Sequence, residues 1–370
     1  MKNQTNLSSI QLMLFIIQTQ IGVGVLGLPF SVFSISKGDA WISVLLAGIV
    51  VQLLITTLWV LGRRFPAKSL FQYSIQLVGT AGGTFINVSY VFYGLLVTSL
   101  ILMYSTAIIK TWVLTLTPKW IIMFLLMGTA IYLGKELLPD ICNVYVVVSV
   151  LIFFLILISI VVLIIYPVDW RYLLPIGQSG RINILKGIKE AYFSMLGFEL
   201  LLFLFPYFQH NGERSVLFSA SMANLSVTLI YTFLTIVSLI TFSPEELVIV
   251  PQPVLYYVKS LYLQVVERID LVFVSLWVVS VITSLTSYLF LSTEGITHSF
   301  MRIKRIKRSV ITIFFGSLSF IIALIPNKEA EMELYNKWVI NTSYFFILVI
   351  PFLLLGISFV FKKKERGENA

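Results

Sequence analysis

Three carboxylates fall inside long apolar stretches of this chain: Glu190, Glu199 and Glu294. A carboxylate in a bilayer-spanning segment is costly, so it marks a ligand, ion or proton site by default. Glu199 stands two residues after Gly197 in Ser194-Met-Leu196-Gly197-Phe198-Glu199. There it either stabilises a half-helix through its N-terminal dipole or carries a proton. Glu190 follows Lys186 by one turn and reads as a plain i,i+4 pair. Glu294, beside Gly295 and near His298, is a gate salt bridge or, as the better reading, a solvated end charge. Ser280, Ser284, Ser287 and Tyr288 form a polar stripe at helical spacing. That stripe suits a sodium ion, a water path, or close helix packing through small polar groups. Tyr93, Val97 and Tyr104 share one helical face, and a buried tyrosine hydroxyl needs a partner.

None of these residues is arranged for catalysis. The chain contains no Walker loop, nucleophile elbow or metal-ligand spacing, and its two histidines stand in no such pattern, so neither an enzyme nor a cofactor is expected. His210 is read as solvated. The single Cys142 excludes an internal disulfide and reads as a small apolar filler.

The elements that position these groups are apolar spans. The 370 residues are 58% hydrophobic and 12% charged, with mean hydropathy +0.95. A soluble domain carries about a quarter charged residues, so this is a polytopic membrane protein. The pattern predicts an all-α integral membrane fold of about ten spans in one domain over 1–370. The spans are read at 8–36, 40–61, 84–112, 119–134, 141–165, 184–208, 215–242, 270–294, 309–325 and 337–361. The segment 65–83 reads as a short surface helix. The run 254–266, after Pro244, Pro251 and Pro253, reads as a cap over the outer mouth. Pro351 should kink the last span.

Gly22-Val23-Gly24 interrupts the first span, with Gly27 and Pro29 following. Glycines and a proline remove what keeps a helix regular, and unwound backbone at membrane depth is tolerated only in protein or against water. A half-helix starting near Val25 would then present free N–H groups, an anion site. The alternative is that the glycines only permit close packing. Ten spans divide into two sets of five, about 8–165 and 184–361, which enter the membrane in opposite senses. If span one is broken, span six should be broken at the matching depth, and its interior glycine, Gly197, lies there.

With the N-terminus placed in the cytoplasm, the inner side holds 15 of the 26 basic residues and a charge of +9, and the outer side is neutral. This obeys the positive-inside rule and puts the tail 362–370 in the cytoplasm. The run Arg302–Arg308 is therefore a topology and lipid-headgroup signal rather than a nucleic-acid patch.

Broken first and sixth spans in a five-plus-five chain resemble the amino acid–polyamine–organocation transporter superfamily, with its LeuT-like inverted repeat. Gly22-Val-Gly-Val-Leu-Gly-Leu-Pro29, Gly62-Arg-Arg-Phe-Pro66 and Leu196-Gly-Phe-Glu199 resemble the B subunits of GerA-type spore germinant receptors, over essentially the whole chain. The resemblance implies a complex with an A subunit and a lipoprotein C subunit in the spore inner membrane, sensing a small amino acid. Some proton-coupled relatives carry a lysine in span five; Cys142–Ile165 has none, which puts ion coupling in doubt.

The expected ligand site joins Gly22, Val23 and Gly24 with Ser194, Leu196, Gly197 and Phe198. Tyr93 and Val97 of span three and Ser284 and Tyr288 of span eight close it. Glu199, Ser280, Ser287 and Glu294 are the candidates for ion, proton or gating roles. Three functions compete on this fold: a nutrient-sensing receptor subunit, a stand-alone amino acid symporter, and a ligand-gated ion or water conduit.

Overall fold

The first helix is fixed at its start by a capping box. Ser8 Oγ accepts from the Gln11 amide while the Gln11 side chain accepts from the Ser8 amide. This helix, α1 (Ser9–Gln20), then runs apolar until three polar residues, Gln18, Thr19 and Gln20, close it. The computed structural model describes residues 6–261, 267–299 and 306–361. Among them the secondary structure is entirely helical.

After a three-residue break comes α2 (Gly24–Ser36), then α3 (Ala40–Arg64) beyond a short turn in which Lys37 has φ 46°. The next element, α4 (Leu70–Trp112), contains a non-helical Gly79 with φ 85°. A Cβ on Gly83 would lie 2.4 Å from the Ile75 backbone, so residues 70–78 fold back on the helix beyond Gly79. Asn87 fastens this fold, donating to Phe71 O and accepting from Ser74 Oγ. The short helix expected in 65–83 is that piece. Two apolar helices come next, α5 (Lys119–Gly134) and α6 (Leu138–Ile165).

The second half begins with α7 (Arg181–Ser194) and α8 (Leu201–Phe208), bent by 57° across their break. Next come α9 (Glu213–Thr241), the short α10 (Pro244–Leu247) and α11 (Pro253–Ser260). The expected cap helix 254–266 is described only to Leu261, and 262–266 lie outside the described residues. Within α11, Val254, Leu255, Tyr257 and Val258 are buried, as a plug between α2, α6, α9 and α12 would be.

The chain ends in α12 (Ile269–Ser299), α13 (Arg308–Leu324), α14 (Glu329–Tyr344) and α15 (Ile350–Val360). Between α14 and α15, Phe345–Val349 form a π-helical turn. Pro351 lacks the amide that would continue the α-ladder, so the expected irregularity lies in the turn just before it. The basic run is described only from Ile306 and the tail only to Phe361.

By length and composition six helices are apolar enough to cross a membrane, or seven with the bent α7–α8 pair. The apolar helices α5 and α13 are shorter, at 16 and 17 residues. That measure takes Gly24–Arg64 as one stretch and leaves out the shorter helices, so by itself it does not confirm the ten spans expected from sequence.

At one end, the α2–α3 turn is tied to the loop before α7. The Asp39 carboxylate, 1% exposed, accepts from the Gly177 amide (2.7 Å), the Ser179 amide (3.0 Å) and the Ser179 hydroxyl. Gly187 makes the helices meet closely, since a Cβ there would sit 2.0 Å from Ser36 Oγ. Ser36 and Ser43 donate across the contact to Asn183 O and Ile184 O. At the opposite end, Arg63 pairs with Glu213, and α1 begins beside Asn211 and Ser215.

Candidate functional site

Two breaks meet in the middle of the bundle. The first lies between Gln20 and Gly24, where Gly22 N–H turns back to Gln20 O at 3.0 Å. The second lies between Ser194 and Phe198, where Gly197 takes φ 130°, a conformation that L side chains rarely adopt. They touch directly. A Cβ on Gly24 would lie 2.9 Å from Ser194 Cβ, and one on Gly197 3.0 Å from Gln20 N. The paired interruption expected from sequence is thus present in both spans, and α2 starts within one residue of the expected position.

Side chains from elsewhere satisfy the first break. Trp277 Nε1 donates to Gly22 O (3.1 Å) and Tyr231 OH to Gln20 O (2.8 Å). Ser284 Oγ reaches Gln18 O and Thr19 O, and Thr283 Oγ1 reaches Gln18 Oε1 at 2.9 Å. Ser287 meets Thr19 Oγ1 and Tyr145 OH, each at 2.8 Å. The serine stripe is therefore spent on hydrogen bonds to α1 and α6, which fastens the break to α12. Ser280, also buried, contributes its carbonyl, which accepts from Thr283 and Ser284. Unpaired carbonyls in such a place cost about 1–3 kcal/mol each, which is what these donors offset.

The start of α2 is different. Val23, its N-cap residue, makes no side-chain capping bond, and among the described residues no side chain accepts from the first-turn amides. Those N–H groups carry the positive end of the helix dipole.

The second break carries its own carboxylate. Glu199, 1% exposed, accepts from the Gly197 amide on Oε2 (2.7 Å) and from Tyr93 OH (3.0 Å) and Tyr288 OH (2.6 Å) on Oε1. No described cation stands within 4 Å of it. Three donors therefore hold a carboxyl that has no ionic partner among the described residues. Tyr93 also stacks on Phe346 of the π-turn. Val97, Leu196 and Phe198 are buried around this point, and Tyr192 packs edge-on to Phe198.

Several expected placements need correction. Glu294 is no solvated end charge: its side chain is 15% exposed and pairs with both Arg308 and His298. The first residue of α13 is thereby drawn to the end of α12. Glu190 forms no ion pair with Lys186 among the described residues, and Lys189 is the basic neighbour whose charge acts on it. Tyr104 lies only half-buried and apart from the breaks, toward Glu329 and Glu333. His210 is exposed as expected, and Cys142 is fully buried.

Sequence reasoning missed Gln18, Thr19, Gln20, Tyr145, Tyr231 and Trp277. The first three were visible as three adjacent polar residues inside an apolar run. The others have no local signal, because their roles depend on which helices become neighbours.

A helical bundle in which the α1–α2 break and the α7–α8 break face each other has the architecture of a secondary transporter. Solved structures agree. The chain matches a Na+-coupled sialic acid symporter with TM-score 0.65 and 10% identity, covering 93% of this chain and 79% of that one. It matches the nucleobase-cation symporter Mhp1 with TM-score 0.66 and 10% identity, covering 92% and 78%. Residues 6–332 match the spore germination protein (spore permease) family, and the chain belongs to that family. Curated relatives include spore germination protein GerQB of Bacillus cereus, 28% identical over 92% of both chains. Spore germination protein A2 of Bacillus subtilis (strain 168) is 23% identical over 95% of both.

Proposed function

We propose that the protein is a nutrient-sensing subunit of a spore germinant receptor, binding a small amino acid between the two breaks. One observation carries this reading: the breaks have opposite electrical character and face each other. The uncapped start of α2 offers amides to a carboxylate. Glu199 and the carbonyls of 194–197 offer acceptors to an ammonium group. A zwitterion complements both at once, whereas a simple anion or cation answers only one.

Leu196 and Phe198 then bound the side-chain space, which favours a small neutral ligand. The breaks are in contact here, so binding requires the segments 20–24 and 194–198 to part locally. A ligand biases that opening only by its differential affinity for the open form. The Asp39 tie would keep α2, α3 and α7 moving as one body. In this reading both termini are cytoplasmic, ten spans cross the spore inner membrane, and A and lipoprotein C subunits complete the receptor.

A stand-alone symporter shares the fold, and the symporter neighbours favour it as the second reading. The serine stripe argues the other way, because its hydroxyls are already engaged with α1 and α6.

The test is equilibrium binding of the twenty labelled amino acids to the purified chain, followed by uptake into proteoliposomes. Saturable binding without accumulation against a gradient supports the receptor reading. Accumulation by the chain alone supports the symporter, and binding of none of the twenty defeats both.

A further inference from the structure

Gln20 is the last residue of α1 and is 2% exposed. Its Nε2 donates to Met195 O at 2.7 Å, so its amide group spans from the first break to the second. That bond fixes the orientation of the amide, because only the nitrogen can donate to a carbonyl. The other amide atom, Oε1, is fully buried and has no hydrogen-bond partner among the described residues. A buried acceptor left empty is costly and calls for a specific cause. The two neighbouring carbonyls are engaged: Gln20 O takes Tyr231 OH, and Gly22 O takes Trp277. Beside the second break, the buried Tyr192 hydroxyl likewise has no partner among the described residues.

We infer that Gln20 Oε1 is a reading group for the ligand's ammonium, a specificity determinant acting with Glu199. The inference rests on the amino acid reading above and extends it. An amide oxygen held by its own nitrogen is preorganised, so no side-chain ordering opposes the contact. The two acceptors divide the work. Glu199 supplies charge, and Gln20 supplies a fixed direction between the two broken spans. Because Gln20 already bonds Met195, an ammonium on Oε1 would connect ligand position to the distance between the breaks.

The experiment compares the best-binding amino acid with its 2-hydroxy acid, for example L-alanine with L-lactate, on the purified full chain. A charge-assisted hydrogen bond is worth about 1.5–3 kcal/mol, roughly tenfold to a hundredfold in binding. In Gln20→Leu the preference for the amino acid over the hydroxy acid should fall by about that factor. Gln20→Glu loses the donor to Met195 but keeps an acceptor, and should retain or strengthen the preference. If Gln20→Leu fails to fold, Gln20→Glu still decides. Equal weakening of both ligands in either variant means that Gln20 only ties the helices, or holds a water, and overturns this inference while the amino acid site stands. If no amino acid binds the unaltered chain, the site reading itself falls, and this inference with it.

Discussion

The two breaks solve the same problem by different means. The first is stitched from outside, by Trp277 and Ser284 of α12 and Tyr231 of α9 acting on carbonyls of 18–22. The second is stitched mainly from within, by Glu199 on the Gly197 amide, with one outside bond from Gln20 to Met195 O, and it depends on a glycine at φ 130°. The external stitches fill acceptors and leave the α2 amides uncapped, so the first break stays donor-rich. The internal stitch places a carboxylate at the second, which becomes acceptor-rich. Unwinding two helices in a membrane thus yields a polar pair rather than two equivalent gaps, and the pairing gives a zwitterion an orientation.

The contrast can be broken from the second side most severely. Glu199→Leu leaves the Gly197 amide and the Tyr93 and Tyr288 hydroxyls unpaired and should cost about 3–5 kcal/mol. Glu199→Gln, which keeps an acceptor, should recover much of that, as thermal unfolding in detergent would show. Gly197→Ala should cost about 2–5 kcal/mol, combining backbone strain with contact against the Gln20 backbone. At the first break the demand is only steric. A Cβ on Gly22 meets Ser284 Oγ at 2.8 Å, so Gly22→Ala should cost about 1–3 kcal/mol. Adding Ser284→Ala should restore part of the loss, whereas no neighbour change should rescue Gly197→Ala. If the two glycine variants behave alike in both respects, the distinction between external and internal stitching is lost.

The smallest effect belongs to the tie outside the breaks. Burial pushes the Asp39 carboxyl up, but the Ser179 hydroxyl and the Gly177 and Ser179 amides outweigh it and hold it below its ordinary 3.8. A depressed folded value means that the tie's contribution is complete above that ordinary value and is lost as pH falls through the folded one. Melting curves of the unaltered chain between about pH 6 and about pH 3 should therefore show an acid limb that Asp39→Asn reduces. At neutral pH the same variant should cost only about 1–2 kcal/mol.

Much of this was legible in the chain. Apolar length placed most helices to within a few residues, and α5 runs over the expected 119–134, although α14 starts at Glu329, eight residues before the expected 337. Glycines in apolar surroundings located both breaks, because loss of side-chain restraint is a local property. Pro351 signalled an irregularity for the same reason, although not that it would be a π-turn. Partners were illegible. Nothing near Trp277 or Tyr231 says that their polar atoms reach a carbonyl in a helix far away along the chain. Glu294 was misread because its partner Arg308 lies on the next helix, and Glu190 because spacing alone does not bring Lys186 to it. The serine stripe was found, yet its occupants, α1 carbonyls and Tyr145, came only with the packing.

The most direct test measures amide hydrogen exchange in the purified chain with and without a binding amino acid. The account predicts that protection rises together over 22–26 and 195–200, the two faces of one ligand, while the exposed α14 face around Trp338 is unchanged. Protection confined to one of these stretches, or appearing only elsewhere, would contradict it.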